Sequence, residues 1–428
     1  MSSISENVDD RLSRLPEDIL SHILSLMPTK YAVRTSVLSK RWRYSWMFVT
    51  DLDFDDIHPY HDEKALSKIV DRVLKFCKTS KLRSVRLHLC DKVVSKSSVS
   101  SWIDKMVRLN VCELDVQLVL LELPFSLFTC KTLTKLRIDV SADKYGVWEC
   151  RYPVNLPCLK TLDVVVYTNP FDNAFRLIRG CPMLESLSLE VIWCTHNGDY
   201  VFNIPTLKRL KLTNITCGYA VNYVVLRVPN LEYLYVGGML GSWYVMEDLP
   251  SSVEASVSFD CLVSSDCTIL DLWGQFLKGI NGVKSLSVKK LLSSSPLPMF
   301  PNTKRLELKD LWDSGKVLES CPALEHLCIE KVVNYLWIKP KLVPACLLTN
   351  LTTIKFSTRK WQKCDMEFLE YMLRNAEVLK TVTITLENLC IEEERRLCLE
   401  LIELPRASSR CEIRFTVMTV KDGRLQHR

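Results

Sequence analysis

Glycine is scarce, at twelve residues in 428. No Gly-x-Gly-x-x-Gly, phosphate-binding loop or Gly-x-Ser-x-Gly is present, so the close backbone approaches used in nucleotide binding and at nucleophile elbows are not provided for. Cysteine is plentiful, at eighteen, yet no Cys-x-x-Cys pair exists and the thiols are scattered singly. That pattern fits reduced thiols better than a disulfide scaffold. The opening MSSISENVDDRLSRLP has no basic n-region and no apolar h-region, and no apolar run approaches the roughly 20 residues that cross a bilayer. The expectation is a soluble chain of the cytoplasm or nucleus with no membrane partner, its sequons at Asn214 and Asn350 unused.

Charge excludes little more. Fifty-six basic and fifty acidic residues leave a formal net charge of +6, too small an excess on this length to demand nucleic acid. The cluster Lys40, Arg41 and Arg43 reads as a solvated face or a protein contact. No catalytic residue, metal or cofactor is expected. His58-Pro-Tyr-His61, followed by Asp62 and Glu63, is read as a loop, because Pro59 keeps the two rings off one helical face. None of the seven histidines supplies a cysteine with a base, and Cys181 and Cys321 precede equivalent prolines as core-filling residues.

A hydrophobic content of 47% and a charged content of 25% indicate a folded chain, and 428 residues imply several domains or one elongated repeat array. The N-terminal stretch Leu15 to Trp42 differs from the rest. Pro16 suits a first helical turn, Glu17 and Asp18 favour the positive end of the dipole, and Ile19, Leu20, Ile23, Leu24 and Met27 recur at helical spacing until Pro28. Ala32, Val33, Val37 and Leu38 form a second apolar set, and Ser39 can cap a third short helix carrying Trp42 and Trp46. Three helices this small bury too little to be secure alone. They either wait for a partner or cap the next domain.

A helix is expected over Ala65 to Cys77, after which the period changes. Segments such as LRSVRLHL, LTKLRIDV, LESLSLEV and LKRLKLTN are apolar at their first, fourth and sixth positions. Eleven such units begin at 82, 111, 133, 159, 184, 207, 231, 283, 324, 351 and 379; two imperfect ones, at Glu254 and Thr303, bring successive starts to 20–29 residues. Of the 39 positions at the third, fifth and seventh places, only Val165, Gly237 and Cys328 are not polar, charged or tyrosine. One side of each strand is therefore wet, which argues against a doubly wound sheet and for a solenoid with an open face. On that face Arg209 and Lys211 should lie beside Tyr233 and Tyr235, as candidate substrate-binding residues, and the loop carrying Trp243 and Tyr244 either extends the patch or packs beneath it. Beyond 340 the chain reads as strand, helix Met366–Ala376 with Asp365 as N-cap, strand, helix Glu392–Ile402 and strand CEIRFTV.

The segment DRLSRLPEDILSHILSLMPTKYAVRTSVLSKRWRYSW resembles the F-box, especially the plant variety found in F-box proteins with leucine-rich repeats and an FBD tail, and the region from about 340 to 417 resembles the FBD domain. The resemblance implies an α/β solenoid in five parts. These are a three-helix F-box (8–52), a linker and helical N-cap (53–80), a divergent leucine-rich-repeat horseshoe (81–340), an α/β FBD-like cap (341–417) and a tail (418–428). It implies docking of a Skp-type adaptor, and through it a cullin, by Leu15, Pro16, Ile19, Leu20, Ile23, Leu24, Val33, Val37, Leu38 and Trp42. Lys30, Arg34, Lys40 and Arg41 would steer the approach to an acidic adaptor. The implied role is the non-catalytic substrate receptor of an SCF-type ubiquitin ligase. A non-degradative scaffold and a repeat module binding a small molecule are the alternatives.

Overall fold

A computed structural model describes residues 15–55, 63–89, 94–118, 123–139, 152–166, 171–191, 199–213, 222–259, 267–289, 297–309, 314–331, 337–387, 391–421 and 424–427. The chain divides into two compact units, Met1–His196 and Asn197–Arg428. The His58–His61 stretch lies outside the described residues.

The first unit opens with α1 (Glu17–Ser25), α2 (Thr29–Arg34) and α3 (Trp42–Ser45), the last two each extended by a 3-10 turn. Then come β1 (Asp51–Asp55), α4 (Glu63–Phe76), β2 (Ser84–Leu89), α5 (Lys96–Arg108), β3 (Glu113–Leu118), α6 (Phe125–Phe128), β4 (Lys135–Asp139), β5 (Thr161–Val166), α7 (Phe171–Arg179) and β6 (Ser186–Val191). The six strands pair in sequence order, all parallel. Their alternate residues, from Val85 and Leu87 to Leu187 and Leu189, are buried at 1% exposure or less. Burial of that completeness contributes roughly 1.5–3 kcal/mol per side chain and fixes the register. The helices cover the side of the sheet on which those residues lie, and Trp102 of α5 donates its indole N–H to Asp71 of α4 at 2.6 Å.

The second unit continues the same design. Its strands are β7 (Tyr200–Asn203), β8 (Arg209–Thr213), β9 (Asn222–Arg227), β10 (Tyr233–Gly238), β11 (Ser242–Glu247), β12 (Glu254–Phe259), β13 (Ser285–Lys289), β14 (Arg305–Lys309), β15 (His326–Lys331), β16 (Thr353–Thr358), β17 (Thr381–Glu387), β18 (Glu412–Lys421) and β19 (Arg424–His427). Its helices are α8 (Cys267–Gly279), α9 (Ser314–Ser320), α10 (Ala345–Thr349), α11 (Lys363–Asn375) and α12 (Ile391–Glu403). Strands β8, β10 and β12 to β18 form a parallel sheet, and β19 returns antiparallel on β18. A separate parallel sheet runs β7, β9, β11.

Every expected repeat unit is a strand, twelve of the thirteen beginning two residues after the unit's first position. The exception is the imperfect unit at Glu254, where Glu254 itself occupies the third position, opposite Tyr233 and Ser285. Proline precedes six of those twelve strands at one fixed distance. Pro157, Pro182, Pro205, Pro229, Pro301 and Pro322 each stand four residues before a strand, second in a turn closed by backbone bonds such as Leu184 N–H to the Cys181 carbonyl at 3.2 Å. Pro250 keeps the same four-residue distance from Glu254.

Three features differ from expectation. Strand β1 crosses the boundary placed at 52/53 and pairs with β2, so the repeat sheet begins at the helices. Trp243 and Tyr244 belong to a strand, and Tyr244 packs edge-on against Phe276 at 5.2 Å under the second sheet. Asp365 is not the N-cap of α11: Gln362 is, and Asp365 completes a capping box by accepting the Gln362 N–H at 2.7 Å.

Candidate functional site

The N-terminal helices separate into an inward and an outward face. The Pro16 carbonyl accepts the Leu20 N–H at 3.1 Å, which starts α1 where the proline can donate nothing. Leu20 and Leu24 then turn inward and join Ala32, Trp42 and Val49 in a small core. The Trp42 N–H donates to Ser39 Oγ at 3.4 Å, Ser21 Oγ donates to the Phe48 carbonyl at 2.8 Å, and Arg41 donates to the Leu15 carbonyl. The last two bonds tie α1 and its entry to the segment around α3.

The outward face is apolar where solvent would favour polarity. Ile19 is 46% exposed, Val37 85% and Leu38 66%, with Leu26, Tyr31, Tyr44 and Phe48 exposed nearby. Scattered exposed leucines are ordinary, but seven large apolar side chains exposed between residues 19 and 48 mark a candidate interaction surface. Of the ten residues the sequence singled out for docking, Pro16, Ile19, Val37 and Leu38 are exposed, while Leu15, Ile23 and Val33 are half-buried. Leu20, Leu24 and Trp42 are buried within their own chain and so hold the patch up rather than forming it. Sequence periodicity alone could not divide them, because both faces of α1 are aliphatic.

A groove of about 740 Å³ lies between α2, the turn after α3, β1 and α4, and both Asp53 and Asp55 are among the residues that line it. Tyr31, Val33, Trp46, Met47, Phe54 and Val73 line it, and Arg34, Arg43 and Arg72 stand on its rim. Tyr31 carries Lys30 and Arg34 at 6.0 and 5.9 Å from its ring centroid.

On the open face of the second unit, the four candidate residues do come together. Arg209 is the cross-strand partner of Tyr233, and Lys211 of Tyr235. Lys211 Nζ lies 5.6 Å from the Tyr235 centroid, within cation–π range. Tyr235 lies across Gly237: a Cβ there would fall 2.5 Å from the Tyr235 hydroxyl oxygen. That explains why glycine interrupts the polar alternation. Beside the tyrosines is a hollow of about 590 Å³ with Ser256, Ser258, Ser285 and Ser287 on its floor, bounded by Lys289 and the Glu307–Lys309–Glu330 ion pairs at 3.4 and 3.3 Å. The sequence reading missed this hollow; its signal was serine at two of the three outward places on each of two successive strands, Ser256 and Ser258 on β12 and Ser285 and Ser287 on β13.

The open face of the first unit carries a different chemistry. Arg86 bridges Asp53 and Asp115 at 3.2 and 3.8 Å, Arg137 reaches Asp139 and Asp163 at 3.1 and 3.4 Å, and His88 Nε2 lies 2.9 Å from Asp115. Burial opposes ionisation of Asp115, yet His88 and the guanidinium charges of Arg137 and Arg86 outweigh it and hold the carboxyl below the usual range. Cys181 and Cys321 are buried thiols pushed up to about 12 by desolvation, consistent with packing and not nucleophilic attack. Among the described residues, no group of three or more His, Cys, Asp or Glu side chains could hold a metal ion.

Comparison with known proteins finds matches to three segments of the chain. The F-box domain model matches residues 12–49, the FBD model matches 339–384, and the leucine-rich-repeat model of FBD-associated F-box protein At5g56370 matches 99–254. The FBD-associated F-box protein At5g56370 of Arabidopsis thaliana is 31% identical over 95% of this chain and 100% of its own length. FBD-associated F-box protein At3g52670 of the same plant is 30% identical over 95% and 97%. F-box/FBD/LRR-repeat protein At4g26340, also from Arabidopsis thaliana, is 29% identical over 95% and 100%. With helices, parallel repeats and C-terminal segment all matched in order, the chain belongs to the plant family of F-box/FBD/LRR-repeat proteins.

Proposed function

We propose that this chain is the substrate-recognition subunit of an SCF-type ubiquitin ligase. Its F-box helices bind a Skp-type adaptor, and through it a cullin, while the repeat face holds a protein destined for ubiquitin transfer. The observation that carries this reading is the solvent-exposed pair Val37 and Leu38, at 85% and 66%, in a helical body whose own core is already complete. Removing such surface from water contributes about 25 cal/mol per Å², and the rim of Arg34, Arg43 and Arg72 favours an acidic adaptor.

The chain itself performs no bond chemistry on this account. Holding a substrate beside the charged conjugating enzyme raises effective concentration, and the transfer belongs to other subunits. Tyr233, Tyr235, Arg209, Lys211 and the adjoining serine hollow are the proposed substrate contacts, with exposure and aromatic content suited to a protein partner. Singly scattered thiols support a cytoplasmic or nuclear setting. Affinity purification of the full chain from plant cells tests the reading. Recovery of adaptor and cullin, with ubiquitin chains formed on a co-purified protein, supports it, and recovery of neither contradicts it.

A further inference from the structure

The second sheet of the second unit presents an apolar outer face that the receptor role does not use. Its strands alternate strictly: Tyr200, Phe202, Val224, Leu226 and Tyr244 are buried, so Val201, Tyr223, Val225, Trp243 and Val245 point the other way. The parallel register arranges these outward residues in rows. Tyr223 pairs with Trp243; Val225 lies between Val201 and Val245; Arg227 lies between Asn203 and Glu247. Aromatics, valines and a charged row thus follow one another along the strands. Tyr223, Val201 and Val245 are exposed, and Arg227 Nε meets Glu247 Oε2 at 2.6 Å with both side chains nearly half exposed. Helix α8 packs on the inner side, through Phe276 against Tyr244.

The geometry points to this face as a docking surface for a second copy of the same chain. A two-fold axis running along the strands, midway between β9 and β11, lays β9 of one copy over β11 of the other. That operation sets Tyr223 against Trp243, Val225 against Val245 and Arg227 against Glu247, each contact occurring twice. Like meets like in the apolar rows, and opposite charges meet in the polar row. Sheets pack about 10 Å apart by such interdigitation. The three strands span only about 10 Å across and about 20 Å along, a face of a few hundred Å² at most, well short of the roughly 800 Å² per partner of a standard interface, so association is weak and concentration-dependent.

The test uses the full chain co-expressed with its adaptor. Sedimentation over a concentration series should show a complex moving from one to two copies of the 49.4 kDa chain. Val245→Arg should hold the complex at one copy, with an unchanged melting temperature. Arg227→Glu and Glu247→Arg should each do the same alone, whereas a one-to-one mixture of the two should regain the two-copy mass, because each then supplies the charge the other lacks. A photo-crosslinker at Tyr223 should yield a product of two chains. One-copy mass at every concentration, no recovery in the mixture, or a crosslink confined to the adaptor or to the same chain would overturn the proposal.

Discussion

The backbone N–H of Asp53 donates to Thr29 Oγ1 at 2.7 Å, tying an F-box helix to the first strand of the repeat sheet. Thr29 is buried, and Thr50 N–H adds a second tie to Ser25 Oγ at 3.1 Å. The F-box is thus continuous with the first repeats, and an adaptor bound as proposed would fix the direction in which those repeats extend. Thr29→Val leaves the Asp53 amide without its acceptor, at a cost of about 1–3 kcal/mol. Hydrogen exchange should show the Asp53 amide losing protection ahead of β3 and β4. Unchanged protection would mean that the tie carries no load.

Acid should loosen the first unit's open face. Asp115 has a folded value below its unfolded one, so the stability it adds is present above the ordinary carboxylate range and is lost as pH falls through the folded value. Thermal melts of wild type and Asp115→Asn should differ most near about pH 6, and the difference should shrink as pH falls below the ordinary carboxylate range toward the folded value. A constant difference across that range would remove the charge argument.

Gly237→Ala probes the other face. The added methyl collides with the Tyr235 ring, the far end of a rotatable side chain, so Tyr235 should swing away from Lys211 with little loss of stability. Substrate capture should fall as much as in Tyr235→Ala, while the melting temperature stays within about 2 °C, as expected of changes under about 0.5 kcal/mol. Full capture by Gly237→Ala would remove Tyr235 from the contact set.

Thiol reactivity should follow burial. Cys321 and Cys346 are pushed up to about 12 and about 11, chiefly by desolvation, whereas Cys158 is exposed. Brief alkylation of the folded chain should label Cys158 and spare the other two by mass spectrometry. Equal labelling would show that these repeats open on the timescale of the reaction.

The repeat strands were legible because leucine spacing and wet outward positions are local signals, repeated thirteen times. The register at Glu254 was not read correctly, since the leucine pattern fades there; the four-residue step from Pro250 would have supplied it. Strand β1 was missed because DLDFD alone is too short to be distinguished from a linker, and its identity comes from pairing with β2. The β7–β9–β11 sheet escaped because its strands interrupt the leucine periodicity instead of joining it. In the F-box, the sequence indicated which residues are apolar, but only packing separated Leu20, Leu24 and Trp42 from Ile19, Val37 and Leu38.

That separation gives the most direct measurement. Adaptor affinity should be determined by calorimetric titration for the native chain and for Val37→Asp/Leu38→Asp, with thermal melts run alongside. The account predicts at least a tenfold loss, about 1.4 kcal/mol, with an unaltered melt. In contrast, Leu24→Ala should lower the stability of the helical body by about 2–5 kcal/mol. Equal adaptor affinity for the native chain and the double variant would contradict the assignment of this face.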